Sequence, residues 1–172
     1  MLPSILKNIK TNKGRDALDI SYERPVILFF LRHFGCIFCR QALKDIASRK
    51  AEFEANNISL LFVHMADNDI ADKYFKSHGL AEAEHIADPQ TELYASFGLL
   101  KGNFQQLFGL KNWIKGYEIV KNGTPLSLKQ IGDGFQMPGI FMIQNGEIVD
   151  SFIHKMASDV PDYDSLLNCC AA

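Results

Sequence analysis

Apolar residues run unbroken from Val26 to Leu31, a pattern that suits a strand buried on both faces of a sheet with helices above and below. The period then changes. Cys39, Ala42, Leu43, Ile46 and Phe53 recur at three-, four- and seven-residue steps, with Lys44, Asp45, Arg49, Lys50 and Glu52 largely on the other side. This spacing predicts an amphipathic helix ending near Asn56-Asn57. Ile58 to Met65 reads as a second buried strand, followed by a helix capped by Asp67 or Asp69, running to about Ser77 and closed by Gly79. Glu84-His85-Ile86-Ala87 is a weaker strand signal, and Asp88-Pro89 places a cap and a first-turn proline before a helix stopped by Gly98. Towards the C-terminus, Gly139–Gln144 and Glu147–Phe152 flank Asn145-Gly146, and the two turn residues tolerate the positive φ of a hairpin. Pro161 opens a last helix with Tyr163, Leu166 and Leu167 inward.

Between Leu99 and Phe135 lies a stretch that this plan does not require. Phe104, Leu107, Phe108, Leu110, Trp113 and Ile114 have partly helical spacing there, which predicts an inserted helix and loop whose aromatic residues are core or a dimer face, with a substrate-covering role the less supported alternative. The chain has no internal repeat and no low-complexity linker, so residues 1–172 are expected to form one α/β domain carrying an insertion at about 99–135. Its length, with 47% hydrophobic and 22% charged residues, suffices for a full core. A net charge of −2 without a sustained Lys/Arg run argues against nucleic acid or a membrane surface as partner. The first dozen residues lack the apolar core and cleavage site of a secretory signal. Four cysteines are too few and too clustered for a disulfide scaffold, and the cytoplasm is the expected location.

Two of those cysteines carry the chemistry. Cys36-Ile37-Phe38-Cys39 stands between the first strand and the first long helix, where unpaired N–H groups and the helix dipole favour a thiolate. The thiolate is the reactive form. Cys36 is therefore the expected nucleophile towards a disulfide or a peroxide, the more exposed and more acidic of the two, with Cys39 facing the core as the resolving thiol. Arg32, His33 and Arg40 bracket the pair and would stabilise the thiolate if they point to it; as strand-end and first-turn residues they could equally be solvated. His33 could also exchange a proton near neutral pH. A metal reading of His33-x-x-Cys36-x-x-Cys39 is incomplete, since zinc needs about four ligands. Cys169-Cys170 could act as a further resolving pair, within the chain or across a homodimer, although a frayed terminus constrains them poorly.

Cys-x-x-Cys at a strand-to-helix junction, βαβ units and a late Met137-Pro138 before a hairpin together resemble the thioredoxin fold. Phe30-Leu31-Arg32-His33-Phe34-Gly35-Cys36-Ile37-Phe38-Cys39-Arg40, Ala87-Asp88-Pro89 through Tyr94-Ala95-Ser96-Phe97-Gly98-Leu99, and Gly132-Asp133-Gly134-Phe135-Gln136-Met137-Pro138-Gly139-Ile140-Phe141 are similar, in order, to the peroxiredoxin-like branch of the AhpC/TSA proteins that includes selenoprotein-U-like members. The resemblance implies a mixed sheet flanked by helices and a cis peptide at Pro138 opposite the dithiol, holding backbone groups open for a substrate chain. It also implies thiol-dependent redox chemistry with an external thiol reductant and no bound cofactor; the rival reading is a non-catalytic thioredoxin-fold binding protein in which the dithiol is vestigial or senses oxidation. Phe29 and His33 stand where peroxiredoxins proper carry a proline and a threonine or serine. Gly35 and Phe30 replace the tryptophan and the buried acid of thioredoxins. The loss of the peroxide-positioning residues favours disulfide exchange over peroxide reduction.

Overall fold

The apolar run becomes the central strand. β1 (Val26–Phe30) is buried along its whole length, with Val26, Leu28 and Phe30 in one apolar cluster and Ile27 and Phe29 in the other; successive side chains of a strand point to opposite faces, so both faces must be covered. The computed structural model describes residues 2–124 and 131–169. Segment 125–130 and Cys170 fall outside them, and with Cys170 the expectation for the terminal cysteine pair.

Before β1 come α1 (Leu2–Leu6) and α2 (Ala17–Glu23), the latter capped by Asp16, whose carboxylate accepts the Leu18 N–H. After it come α3 (Ile37–Ser48), α4 (Lys50–Ala55), β2 (Ser59–His64), α5 (Asn68–Ser77), β3 (Glu84–Ala87) and α6 (Glu92–Ser96). The insertion contributes α7 (Phe104–Phe108) and α8 (Leu110–Lys121), and β4 (Gly139–Gln144), β5 (Glu147–Ile153) and α9 (Tyr163–Cys169) complete the chain. Among the described residues the sheet has the order β3-β2-β1-β4-β5. β1, β2 and β3 are parallel, whereas β4 runs antiparallel to β1 and β5 to β4. This is the mixed sheet expected from the sequence, and Asn145 and Gly146 both take positive φ in the β4–β5 turn.

Three local expectations need correction. The single helix expected to reach Asn56 breaks at Arg49, whose φ of −104° and ψ of 6° leave the helical region; the break separates α4, which sends Phe53 fully into the core. Asp88-Pro89 does not open a helix directly. A turn intervenes, Thr91 adopts the left-handed conformation as N-cap, and the Asp88 carboxylate reaches forward to the N–H groups of Glu92, Leu93 and Tyr94 at 3.0, 2.8 and 3.2 Å. Finally, no peptide bond among the described residues is cis, so Met137-Pro138 is trans, the state that X-Pro bonds prefer when nothing enforces the other.

β2 and β3 also bury a polar chain. His64 Nε2 lies 2.8 Å from His85 Nδ1, and His85 Nε2 lies 2.9 Å from Asp72 Oδ1 on α5. Both histidines are fully buried. Burial, and next the neighbouring His85, push the His64 pKa down from 6.5 to about 3. A neutral His64 in the folded state contributes stability that is complete above pH 6.5 and lost as the pH falls towards 3, because the unfolded chain takes up the proton first. We expect urea unfolding to report a loss of about 2 kcal/mol between pH 6.5 and 4.5 from this residue. His64→Gln, which keeps a hydrogen-bonding amide but cannot titrate, should flatten the slope by one proton; an unchanged slope would show that His64 is not its source.

Candidate functional site

Cys36 is the N-cap residue of α3, with φ −72° and ψ 124°, and Cys39 lies in the helix's first turn. The loop before them is fastened from several sides. Leu31 N–H donates to Val63 O, the Tyr94 hydroxyl donates to Leu31 O at 2.5 Å, and the Tyr74 hydroxyl donates to Phe34 O at 2.6 Å. The Phe34 ring stacks on Tyr74 with centroids 4.1 Å apart. Side chains locked in this way hold a reactive group in one geometry.

Arg32 organises the dithiol. Its backbone N–H donates to Cys39 Sγ at 3.1 Å, and its Nη1 donates to Cys36 Sγ at 3.1 Å. The guanidinium is itself buried and held by the carbonyl oxygens of Gln136 (from Nε, 3.3 Å) and Gly134 (from Nη2, 2.5 Å). A planar, permanently charged fork can serve two carbonyls and one sulfur at once. Burial, and then the charge of Cys36, push the Cys39 thiol far above the ordinary cysteine range. Cys39 thus stays protonated, while the guanidinium lies beside Cys36.

The other sequence candidates divide. His33 is half-buried, and burial followed by the positive charge of Arg32 lowers its pKa to about 4; it does not titrate near neutrality as expected. Arg40 sits on the first turn of α3, where its charge acts on the Tyr74 hydroxyl. Pro138 is buried and shares a cavity with Arg32 and Cys39. The backbone beside it is not open to a substrate chain, because Met137 N–H donates to Leu100 O and Met137 O accepts from the Gln136 amide at 3.2 Å. Gly102 N–H donates to Phe135 O at 2.7 Å, so segment 100–102 already occupies that edge. Cys36 is no more exposed than Cys39; each is 6% exposed, since the insertion folds over the helix start. Among the described residues no group of three His, Cys, Asp or Glu side chains is placed to hold a metal ion, and no helix is long and apolar enough to cross a membrane.

The insertion sends Leu107 into a small apolar cluster with Met137 and Ala157, and it also walls a cleft. Leu107, Phe108, Trp113, Tyr117 and Val120, with Phe38 and Phe135, wall a cleft of about 590 Å³ whose floor is Arg32 and Cys36. Trp113 and Tyr117 remain 68% and 71% exposed. Residues missed from the sequence are Gly134 and Gln136, which act through carbonyl oxygens and leave no side-chain signature, and Phe38, read only as the filler between the cysteines.

A family model described as AhpC/TSA antioxidant enzyme matches residues 45–158, a segment that starts beyond the dithiol and covers the scaffold around it. A prostamide/prostaglandin F synthase of Danio rerio is 24% identical over 165 residues, covering 94% of this chain and 81% of that protein. A chloroplastic thioredoxin-like protein of Arabidopsis thaliana, AAED1, is 24% identical over 161 residues, covering 90% of this chain and 65% of its own length. Among solved structures, the bacterioferritin comigratory protein of Xanthomonas campestris superposes with a TM-score of 0.67 at 14% identity, covering 99% of this chain and 94% of that one. Its likeness supports the thioredoxin-like sheet with flanking helices. With the family model spanning most of its length, the chain belongs to the AhpC/TSA antioxidant-enzyme family.

Proposed function

We propose that the protein is a thiol-dependent peroxidase in which Cys36 attacks an organic peroxide and Cys39 resolves the product. The observation that carries this reading is the placement of Cys36 Sγ, 3.1 Å from Arg32 Nη1, at the floor of the apolar cleft. Cys36 thiolate attacks the nearer peroxide oxygen, the O–O bond breaks, the alkoxide takes a proton from water, and Cys36 becomes a sulfenic acid. The Cys39 thiol then attacks that sulfur, and water leaves as the Cys36–Cys39 disulfide forms. Two equivalents of an external thiol restore the dithiol, so no bound cofactor enters the cycle. A cleft lined mainly by aromatic and aliphatic side chains suits a peroxide with an apolar arm. This fits the activities for which similar proteins are named, a prostamide/prostaglandin F synthase and a bacterioferritin comigratory protein described for alkyl peroxide reduction.

Disulfide exchange is the second reading, favoured by Phe29 and His33 in place of peroxide-positioning residues. The occupied backbone at Met137 weighs against a polypeptide disulfide as substrate. We place the reaction in the cytoplasm, where thiols are kept reduced.

Mapping by mass spectrometry separates the readings. Reduced protein treated in parallel with cumene hydroperoxide, hydrogen peroxide and a small disulfide should form the Cys36–Cys39 bond, fastest with cumene hydroperoxide. A small disulfide outpacing both peroxides would make exchange the activity, and an unoxidised Cys36 in all three would end the redox reading.

A further inference from the structure

The two thiols face different spaces. Cys36 lines the apolar cleft and Cys39 does not; Cys39 lines a second cavity of about 320 Å³, and Cys36 does not. Phe38 and Arg32 border both. Phe38, between the cysteines in sequence, is the partition: its ring tip packs towards Gly116 of α8, where a Cβ would lie 3.9 Å from Cζ.

The second cavity differs in chemistry from the first. Its depth is apolar, with Phe29, Phe30 and Ile140, but unlike the cleft it also carries Lys44 and Lys115 together with Asp45 and Glu118. It reaches the surface at exposed Lys44, Glu118 and Val160. Deeper in, Ser158 is 1% exposed, and its hydroxyl has no hydrogen-bond partner among the described residues. A buried hydroxyl without a partner is costly, and such groups call for an occupant that satisfies them. The volume lies at the small end of the range of about 300–1,000 Å³ typical of small-molecule sites. Cys39 itself is 6% exposed, so a reductant that attacks it must be small enough to enter the cavity.

We propose that this cavity is the reductant's site, taking a small zwitterionic thiol of peptide size that attacks the oxidised pair at Cys39 rather than at Cys36. The proposal rests on the thiol-redox reading above. The incoming thiol attacks as the thiolate, its proton having passed to water. Its sulfur bonds to Cys39 Sγ, the Cys36–Cys39 bond breaks, and Cys36 leaves as a thiolate beside the Arg32 guanidinium. A leaving thiolate held by a cation departs faster. A second molecule of the thiol then attacks the sulfur of the first, releasing a symmetrical small disulfide and the Cys39 thiol. Peroxide and reductant thus reach one dithiol from opposite sides.

Regiochemistry tests this directly. Protein oxidised to the Cys36–Cys39 disulfide, by hydroperoxide or by diamide, is mixed with glutathione for less than one turnover, quenched in acid and alkylated. The peptide spanning residues 33–40 is then fragmented. We expect the glutathionyl group on Cys39 and the alkyl group on Cys36, and the reverse pattern would overturn the proposal. As a second measurement, Ala42→Leu, which narrows this cavity and not the cleft, should slow reduction by glutathione about tenfold and spare reduction by borohydride; equal rates with glutathione would also overturn it. Failure of hydroperoxide to form the disulfide that diamide forms would count against the peroxidase reading alone.

Discussion

Cys36→Ser is expected to lower hydroperoxide turnover to the uncatalysed rate, while Cys39→Ser completes one oxidation and then stops. The two outcomes follow from the different surroundings of the sulfurs. A serine hydroxyl at position 36 has no accessible anionic form, so the guanidinium 3.1 Å away has no nucleophile to support. Removing Cys39 leaves the Cys36–Arg32 pair and the cleft in place, and the product is a sulfenic acid with no neighbour to expel water from it. Stopped-flow fluorescence offers a convenient readout, because Trp113 is the one tryptophan of the chain and lines the cleft with Cys36. Dimedone labelling of Cys39→Ser after one equivalent of cumene hydroperoxide should add one mass tag at Cys36. Multiple turnover by Cys36→Ser would sink the assignment of the nucleophile, and full steady-state activity of Cys39→Ser would show that Cys39 is not needed for resolution.

Replacement of Arg32 has the second-largest expected effect. Hydrogen bonds to charged groups contribute about 1.5–3 kcal/mol, and each 1.36 kcal/mol is tenfold in rate. Arg32→Met should therefore slow oxidation of Cys36 by about 10- to 100-fold at pH 7. Arg32→Lys should recover only part of the rate, because an ammonium cannot span Gly134 O, Gln136 O and Cys36 Sγ together. Loss of the guanidinium also leaves two carbonyls without their donor, at a cost of about 1–3 kcal/mol of stability. A variant with wild-type rate across the pH range would show that the guanidinium holds the loop and takes no part in the chemistry.

The layout of the sheet was legible because β1 and β2 are unbroken apolar runs and because Asn145-Gly146 demands a hairpin. These are local signals, and local signals survive in one dimension. The dithiol was legible for the same reason: its spacing and its place between strand and helix are both sequence features. The hidden parts depend on distant segments meeting. Arg32 was a candidate among three, and only the approach of Gly134 and Gln136, about a hundred positions later, singles it out. His33 was misjudged because its pKa answers to burial and to a neighbouring cation, neither of which its position in the chain discloses. The cleft that the insertion walls was not legible for a related reason. The insertion's aromatic spacing resembles that of a core helix, but the apolar side of α8 faces a cleft and solvent rather than the sheet. Asp16 and α2 went unnoticed because a seven-residue helix with few apolar positions has almost no periodicity to detect.

That outward-facing helix has a thermal consequence. Of the twelve residues of α8, Asn112 is the one that is buried, and its amide ties the helix to Gln106 O at 2.7 Å and to Ser158 N–H at 3.1 Å. Most helical stability in proteins comes from a packed apolar face, and α8 has little of one against the sheet. Its backbone amides should therefore exchange with solvent long before those of β1, through openings that leave the sheet intact. On warming, the wall over Cys36 loosens while the rest of the molecule is still folded. The preference for one peroxide over another would fade at a lower temperature than the fold itself, and Asn112 sets how far apart those two temperatures lie.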